Sequence, residues 1–320
     1  MKKYLYFILF SILTPSIYAQ SNLSDKLVAY YTFDGNSNDQ SGNNNNNAIA
    51  NSAILTNNRF CEANKALRFR GYFNRDRTDI PNSSSLIFND TLSFSGFFKI
   101  NNWEGMDNNG NYSSNNGFHP IFAKSHDRSG LWCSVIKKAD SLAIYVGNNR
   151  FDSSLPNFQV VATQYGDFLQ QWTHVGIVLS KTRLKIYLNG LLIKTATISL
   201  DMGIANTKPL HFGMYGDTWS GWYPLNGDLD EFRFYKRLLT DIDMTNLYKE
   251  GERNSIVKSI QSGRWEDSTT WECGRIPKVT NQTLIQSGHL VNISSPSFTK
   301  NLILNGVLEI KNGGNLKTNE

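Results

Sequence analysis

The chain has few cysteines, no long apolar segment and little net charge, and each shortage excludes a class of protein. Its 320 residues carry 32 lysines and arginines against 27 acids, a formal charge of +5. No basic cluster alternates with aromatic residues along one element, which argues against nucleic-acid binding. The main apolar run has about ten residues, too few for the roughly 20 that span a bilayer. We therefore expect no membrane insertion.

That apolar run has the pattern of a targeting segment. Lys2 and Lys3 precede it, it runs from Tyr4 to Leu13, and a small-residue site ends at Ala19. This order predicts a secretory signal peptide over residues 1–19. Removing its two lysines lowers the formal charge from +5 to +3. We expect the mature protein to be secreted and to act extracellularly or at the cell surface.

The three cysteines allow two interpretations. In an oxidising compartment Cys61 and Cys133 can form a disulfide within one domain, which leaves Cys273 alone. Alternatively all three are small buried thiols, since a core of this size needs no cross-link. The residues themselves leave both open.

The stretch from Gln171 to Thr197 predicts a β-meander. Apolar and polar residues alternate along it, and Asn189-Gly190 supplies the positive φ angles of a two-residue hairpin turn. One face of its first two strands is predicted to lie in the core: Val175, Ile177, Leu179, Leu184, Ile186 and Leu188.

Short strands at similar spacing continue from Lys26 to about Gly251 and predict an all-β, antiparallel β-sandwich over residues 20–252. One helix is expected at Asp241 to Glu250, capped by Thr240. Its apolar contacts are predicted to be Ile242, Leu247 and Tyr248.

The composition changes after residue 252. Short β runs separated by glycine or asparagine predict a small C-terminal β-solenoid-like module over residues 253–320. Trp265 and Trp271 are predicted to be its packing anchors.

Four segments together resemble one family, the laminin-G-like jelly roll of the concanavalin A-like lectin/glucanase superfamily. They are LVAYYTFDGNSNDQSG, LSFSGFFKI, WTHVGIVLSKTRLKIYLNGLLI and LNGDLDEFRFYKRLLTDIDMTNLYKEG. The resemblance implies two antiparallel sheets packed face to face, with the first and last strands adjacent. The tail is similar to glycine-punctuated β modules near the C-termini of secreted bacterial proteins.

The resemblance implies a structural calcium site at the opening loop FDGNSND. The loop offers oxygen ligands of the kind that Ca²⁺ prefers, from Asp34, Asn36, Asn38 and Asp39, although their spacing alone does not specify a site. The resemblance adds Asp230 as a further ligand. The alternative is that Asp34 and Asp39 cap turns through the local backbone.

No catalytic motif is recognisable. Glucanases of this superfamily carry Glu-x-Asp-x-x-Glu, which is absent, and glycosidases need two carboxylates at close spacing. In the nearest acidic run, Asp228 to Glu231, we expect Glu231 to pair with Arg233 instead. The five histidines show no ligand spacing. We expect the protein not to be an enzyme.

Aromatic residues in loops suggest carbohydrate binding. Trp219, Trp222 and Tyr223 lie in GDTWSGWYP, and Trp103 adjoins an Asn-rich loop, residues 101–116. The alternative is that these rings pack beneath their own loops. Trp132 and Trp172 lie within strand patterns, and we expect them in the core.

The favoured function is therefore recognition or adhesion, with a polysaccharide or cell-surface glycan as partner. A structural or spacer unit of a cell-surface assembly is the alternative. A divergent glycoside hydrolase is third.

Overall fold

A computed structural model describes residues 22–46, 49–51, 53–107, 111–126, 129–148, 158–199, 207–215, 223–252 and 255–318. The predicted signal peptide, Trp219 and Trp222 lie outside these residues. In the described ranges, no helix combines the length and apolar character needed to cross a bilayer.

Residues 22–252 form a two-layer antiparallel sandwich. Its strands are β1 Leu27–Tyr31, β2 Ile49–Asn51, β3 Ile54–Thr56, β4 Ala66–Arg70, β5 Arg77–Ile80, β6 Thr91–Ile100, β7 Gly105–Met106, β8 Tyr112–Ser113, β9 His119–His126, β10 Ser129–Lys138, β11 Ser141–Asn148, β12 Gln159–Tyr165, β13 Thr173–Ser180, β14 Arg183–Leu188, β15 Leu191–Thr197, β16 Leu210–Phe212 and β17 Asn226–Tyr235. The first sheet has the order β15-β14-β13-β6-β17-β4-β3, with β1 also on β17, and the second β12-β11-β10-β9-β16-β5-β2. Strands β7 and β8 belong to neither layer and form a separate two-stranded sheet.

The first and last strands of the sandwich are neighbours, as the resemblance implied. Strand β1 pairs antiparallel with β17, from Leu27 opposite Tyr235 to Tyr31 opposite Phe232. One apolar cluster fills the space between the sheets. The jelly-roll fold predicted from the sequence is therefore confirmed.

The predicted meander is strands β13 to β15. All six residues assigned to its core face are buried in the cluster between the sheets. Asn189 and Gly190 have φ angles of 49° and 77°, which is the conformation that a tight hairpin turn requires. The alternating pattern identified the face of these strands that meets the second sheet. It did not show that the opposite face of β13 is also buried, because helix α1, Asp241–Lys249, packs over Val178 and Tyr187 there.

Helix α1, Asp241–Lys249, follows the sandwich and is capped by Thr240, which forms a capping box with Asp243. The predicted contact of Ile242 is wrong, since its side chain is 57% exposed. The predicted contact of Leu247 is confirmed, because its side chain is buried, and Met244 is buried as well. Tyr248 also packs as predicted, with its ring against those of Phe97 and His174. Met244 lies about 200° around the helix from Ile242, and it packs onto β13 where Gly176 has no side chain.

The C-terminal residues form parallel rather than antiparallel sheets. Strands β18 Ile256–Lys258, β19 Gly263–Arg264, β20 Gln282–Ile285, β21 Leu290–Ile293, β22 Pro296–Thr299, β23 Asn301–Leu304, β24 Val307–Ile310 and β25 Asn315–Thr318 pair in the orders β18-β20-β23, β19-β21-β24 and β22-β25. Trp265 and Trp271 are buried in their shared core with ring centroids 5.0 Å apart, which confirms them as packing anchors.

The disulfide joins the two modules. Cys61 pairs with Cys273, with Cα atoms 6.2 Å apart, so the predicted Cys61–Cys133 pair is wrong. Cys133 lies on β10 with its side chain fully buried in the sandwich core, and burial raises the pKa of its thiol. Cys61 instead lies in the loop between β3 and β4, at the surface that meets the C-terminal module.

Candidate functional site

Two adjoining depressions lie at one end of the second sheet and meet at the β10–β11 hairpin turn. Their volumes are about 410 and 790 Å³, and both are lined by Lys137, Ala139 and Asp140. We call the pair the hairpin groove. The smaller depression is also lined by Trp103, Ser141, Leu142, Tyr165, Gly166, Asp167, Phe168 and Leu169, and the larger by Asp107, Asn115, Asn116, Phe118, Ile136, Lys138 and Tyr145.

The hairpin turn itself presents a carboxylate to the groove. Lys138 pairs with Ser141, which leaves a two-residue turn of Ala139 and Asp140. Ala139 has a φ of 49°, as the first position of such a turn demands. The Asp140 carbonyl accepts a hydrogen bond of 3.1 Å from the Gly166 amide, and the Asp140 side chain is exposed. The turn is therefore tied to the segment that follows β12.

Tyr165 is the most exposed aromatic residue of the groove, with 82% of its surface accessible. It ends the edge strand β12, opposite Ser141. The segment after it is held in place, because Asp167 accepts a 2.9 Å hydrogen bond from the Leu169 amide and Phe168 packs against the core. The ring is thus presented to solvent on a fixed backbone.

The Asn-rich loop supplies the other wall. Asn115 and Asn116 are exposed and line the larger depression. The loop is anchored by hydrogen bonds from the Gly117 amide to the Trp103 carbonyl, 2.7 Å, and from the Phe118 amide to the Met106 carbonyl, 2.8 Å. The side-chain amides of Asn115 and Asn116 therefore line the same groove as Tyr165 and Asp140, on the other side of the β10–β11 turn.

The predicted sugar-contacting rings that the structure describes are packing residues. Trp103 lines the groove but is only 4% exposed, with its ring centroid 5.6 Å from that of His119. Burial lowers the pKa of His119 to about 3. Tyr223 is 7% exposed and its ring packs edge-on against Tyr215. These two side chains fix the loops rather than present rings to solvent.

Sequence reasoning missed Tyr165. Tyr165 is the last residue of a strand that contains no other aromatic residue, and the only local signal was the Gly166-Asp167 that follows and marks the strand end. What makes the ring a candidate contact is its exposure, and exposure cannot be read from the residue type.

The carboxylates of the closing strand are each paired with a cation. Asp228 accepts from Arg68 and Lys99, both at 2.7 Å. Asp230 lies 3.0 Å from Arg59, and burial raises the pKa of its carboxyl well above the usual range. The expected pair of Glu231 and Arg233 is present at 3.1 Å. Asp228 therefore pairs with cations on both neighbouring strands, Asp230 with a cation from the β3–β4 loop, and Glu231 with a cation on its own strand.

The three aspartates of the predicted calcium site have different surroundings. Asp39 accepts hydrogen bonds of 2.9 Å from the backbone amides of Tyr30, Ser41 and Asn45. Asp34 is exposed and lines a depression of about 270 Å³ that is separate from the hairpin groove. No cluster of three metal-binding side chains occurs within the described residues. Asp39 and Asp230 are occupied by other partners, although Asp34 lies near enough to Asp230 for its charge to add to the effect of burial in raising the pKa of that carboxyl. Calcium binding stays a prediction.

A family model described as the concanavalin A-like lectin/glucanases superfamily matches residues 75–243. A search of curated proteins gives no match. Many solved structures share the fold.

Three solved neighbours are toxin structures. The binding domain of Paraclostridial Mosquitocidal Protein 1 has 17% identity and a TM-score of 0.54, over 72% of this chain and 53% of that one. The binding domain of botulinum neurotoxin DC, in complex with rat synaptotagmin II, has 16% identity and a TM-score of 0.52, over 71% and 52%. A structure of botulinum neurotoxin type C, whose cell entry depends on interaction with two ganglioside molecules, has 16% identity and a TM-score of 0.53, over 71% and 51%.

The chain spans about half the length of these neighbours. At such identities the likeness concerns the fold.

Proposed function

Because the chain belongs to the concanavalin A-like lectin/glucanase superfamily, we propose that it is a secreted, non-catalytic recognition or adhesion module that binds glycans in the hairpin groove. The observation that carries the proposal is the Tyr165 ring, 82% exposed in a depression of about 410 Å³. Both depressions fall within the roughly 300–1,000 Å³ of small-ligand sites.

The chemistry of the groove suits a sugar. A pyranose ring has an apolar face that stacks on an aromatic ring and hydroxyls around its edge that donate to carboxylates. Tyr165 supplies the ring, Asp140 and Asp167 the acceptors, and the Asn115 and Asn116 amides further polar groups. Loops carried on a rigid sandwich are the usual place for such a site.

Charges of both signs line the groove. Three aspartates, at 107, 140 and 167, stand beside Lys137 and Lys138. No surplus of positive charge is available to attract sulfated, sialylated or uronic sugars. The proposed ligand is therefore a neutral glycan.

The neighbours support a binding role in general terms. The botulinum neurotoxin DC binding domain binds synaptotagmin II, and botulinum neurotoxin type C interacts with two ganglioside molecules, so toxins that share this fold recognise cell-surface molecules. The disulfide between Cys61 and Cys273 supports the proposed secretion, because such bonds form in oxidising compartments.

The test is retention on neutral polysaccharides. Wild-type protein is incubated with insoluble cellulose, chitin and curdlan, and with the soluble acidic glycan heparin as comparison. We expect retention on at least one neutral polymer and a loss of about tenfold in apparent affinity with Tyr165→Ala, since a stacked ring contributes up to about 1.5 kcal/mol and tenfold corresponds to about 1.4 kcal/mol. Leu191→Ala, on the 70% exposed Leu191 of β15, is the matched control and should bind like wild type.

A spacer or attachment unit is the second candidate, and a specific observation favours it. In the C-terminal module Leu304, Val307 and Ile310 are 50%, 54% and 55% exposed, which is a concentration of apolar surface typical of contact sites. Absence of retention on every glycan, together with self-association measured by sedimentation, would favour this role over glycan binding.

A further inference from the structure

Three aromatic rings form an exposed cluster beside the Asn-rich loop. The ring centroid of Tyr72 lies 5.4 Å from that of Phe73 and 5.4 Å from that of Tyr112, and Phe73 lies 6.3 Å from Tyr112. Phe73 is 80% exposed and Tyr112 is 48% exposed, whereas Tyr72 is half-buried against a second apolar cluster. We call these three residues the aromatic platform.

The platform stands on fixed backbone. The turn that carries Tyr72 and Phe73 is tied down by bonds from the Gly71 amide to the Leu225 carbonyl and from the Arg75 amide to the Gly71 carbonyl, both 3.0 Å. Gly71 has a φ of 83°, and the Asn226 side chain occupies the space where its Cβ would lie. Rings held this way need little ordering when they bind a ligand.

Tyr112 is held independently, on the β7–β8 hairpin. Tyr112 pairs with Met106 across this hairpin, and the Tyr112 hydroxyl donates to one Glu104 carboxylate oxygen at 3.2 Å. The other Glu104 oxygen accepts from the side-chain amide of Asn226 at 3.1 Å. The platform thus joins two separate loops and has a polar edge.

Stability does not require the outermost ring. With 80% of its surface in water, Phe73 buries too little area to contribute much to folding. Exposed apolar patches on an otherwise polar surface mark interaction sites. The remaining question is what occupies this one.

The charges around the platform favour a sugar over a lipid surface. Arg70 is paired with Asp76 at 2.9 Å, which neutralises its charge. The exposed Arg75 on the same turn adds one positive charge, and the Glu104 carboxylate at the ring edge adds one negative charge. A surface with such a balance offers no surplus of positive charge to attract anionic lipid headgroups. The Glu104 carboxylate accepts hydrogen bonds from hydroxyls that surround a stacked sugar ring.

We propose that the aromatic platform is a second contact for a neutral glycan, separate from the hairpin groove. The ligand class rests on the proposed function, but the residues and surface are different. On an insoluble polysaccharide both contacts engage together, so loss of either one lowers retention.

The experiment compares full-length variants on insoluble cellulose, chitin and curdlan. The double variant Phe73→Ala and Tyr112→Ala is expected to bind these polysaccharides about tenfold more weakly than wild type. The single variant Phe73→Trp keeps an aromatic face and is expected to be retained like wild type. Leu191→Ala is again the control, and thermal melting confirms that each variant is folded.

The outcomes separate the two proposals. If Tyr165→Ala lowers retention and the platform variant does not, the platform proposal is overturned and the groove stands. If wild type is retained on no polysaccharide, both proposals fail. If the platform variant loses binding only to vesicles of phosphatidylcholine and phosphatidylglycerol, the surface binds membrane and not glycan.

Discussion

The disulfide between the sandwich and the C-terminal module should be a major source of stability. Cys61 and Cys273 close a loop with a sequence separation of 212 residues. The chain-entropy model gives about 5 kcal/mol for so long a loop at 25 °C, and measured values for disulfides are typically about 2–4 kcal/mol. We therefore expect the combined change Cys61→Ser and Cys273→Ser to lower the free energy of unfolding by about 2–5 kcal/mol.

Beside the disulfide, Arg275 of the C-terminal module also contacts Phe60 of the sandwich. Arg275 donates to the Phe60 carbonyl at 3.3 Å, and its guanidinium lies 5.2 Å from the Phe60 ring centroid. Together these contacts contribute on the order of 1–2 kcal/mol. Without the disulfide, the C-terminal module should detach more readily and become more sensitive to protease.

Urea unfolding with and without dithiothreitol measures the effect. Reductant should destabilise wild type and Cys133→Ala, which keeps the disulfide, but should leave the double-serine variant unchanged. Peptide mapping of the oxidised protein should recover a Cys61–Cys273 peptide. Equal stability with and without reductant, or a Cys61–Cys133 peptide, would refute the reasoning.

Two further predictions concern buried polar groups. Asp39→Ala removes the acceptor of three backbone amides and should lower the free energy of unfolding in urea by about 3 kcal/mol. This decrease should be the same with added calcium and with a chelator. A decrease that depends on calcium would contradict the prediction. Burial lowers the pKa of His174 to about 3, whereas an unfolded histidine titrates near 6.5. The unfolded chain then binds more protons, so stability should fall as the pH drops from about 6.5 towards 3, by up to about 4 kcal/mol from this residue. His174→Gln should flatten that pH dependence, and an unchanged slope would count against it.

The core of the fold was predictable because its signals are local. In the meander, alternation placed Val175 and Leu184 on the face that meets the second sheet, and Asn189-Gly190 fixed the turn between strands. The capping of α1 by Thr240 was equally local. Each of these depends on residues within a few positions of one another.

The parts that failed depend on distant contacts. Cys61 meets Cys273 only because the C-terminal module packs beside the β3–β4 loop, and nothing near either residue encodes that. Ile242 faces solvent because Met244 fits over Gly176, on another element. The alternation of apolar residues cannot reveal such a match.

The candidate site shows the same division. The sequence indicated aromatic residues in loops and the Asn-rich segment, and that segment does form one wall of the groove. It could not distinguish Trp103, which is buried, from Tyr165, which is exposed. Exposure is set by which loops cover which strands, and therefore by tertiary packing.

The central claim is that the exposed Tyr165 ring contacts a neutral glycan. Isothermal titration of wild type and Tyr165→Ala, with a soluble oligosaccharide of whichever polymer retains the protein, tests it most directly. The account predicts measurable binding by wild type and about tenfold weaker binding by the variant. Equal affinity of the two proteins for the oligosaccharide would contradict it.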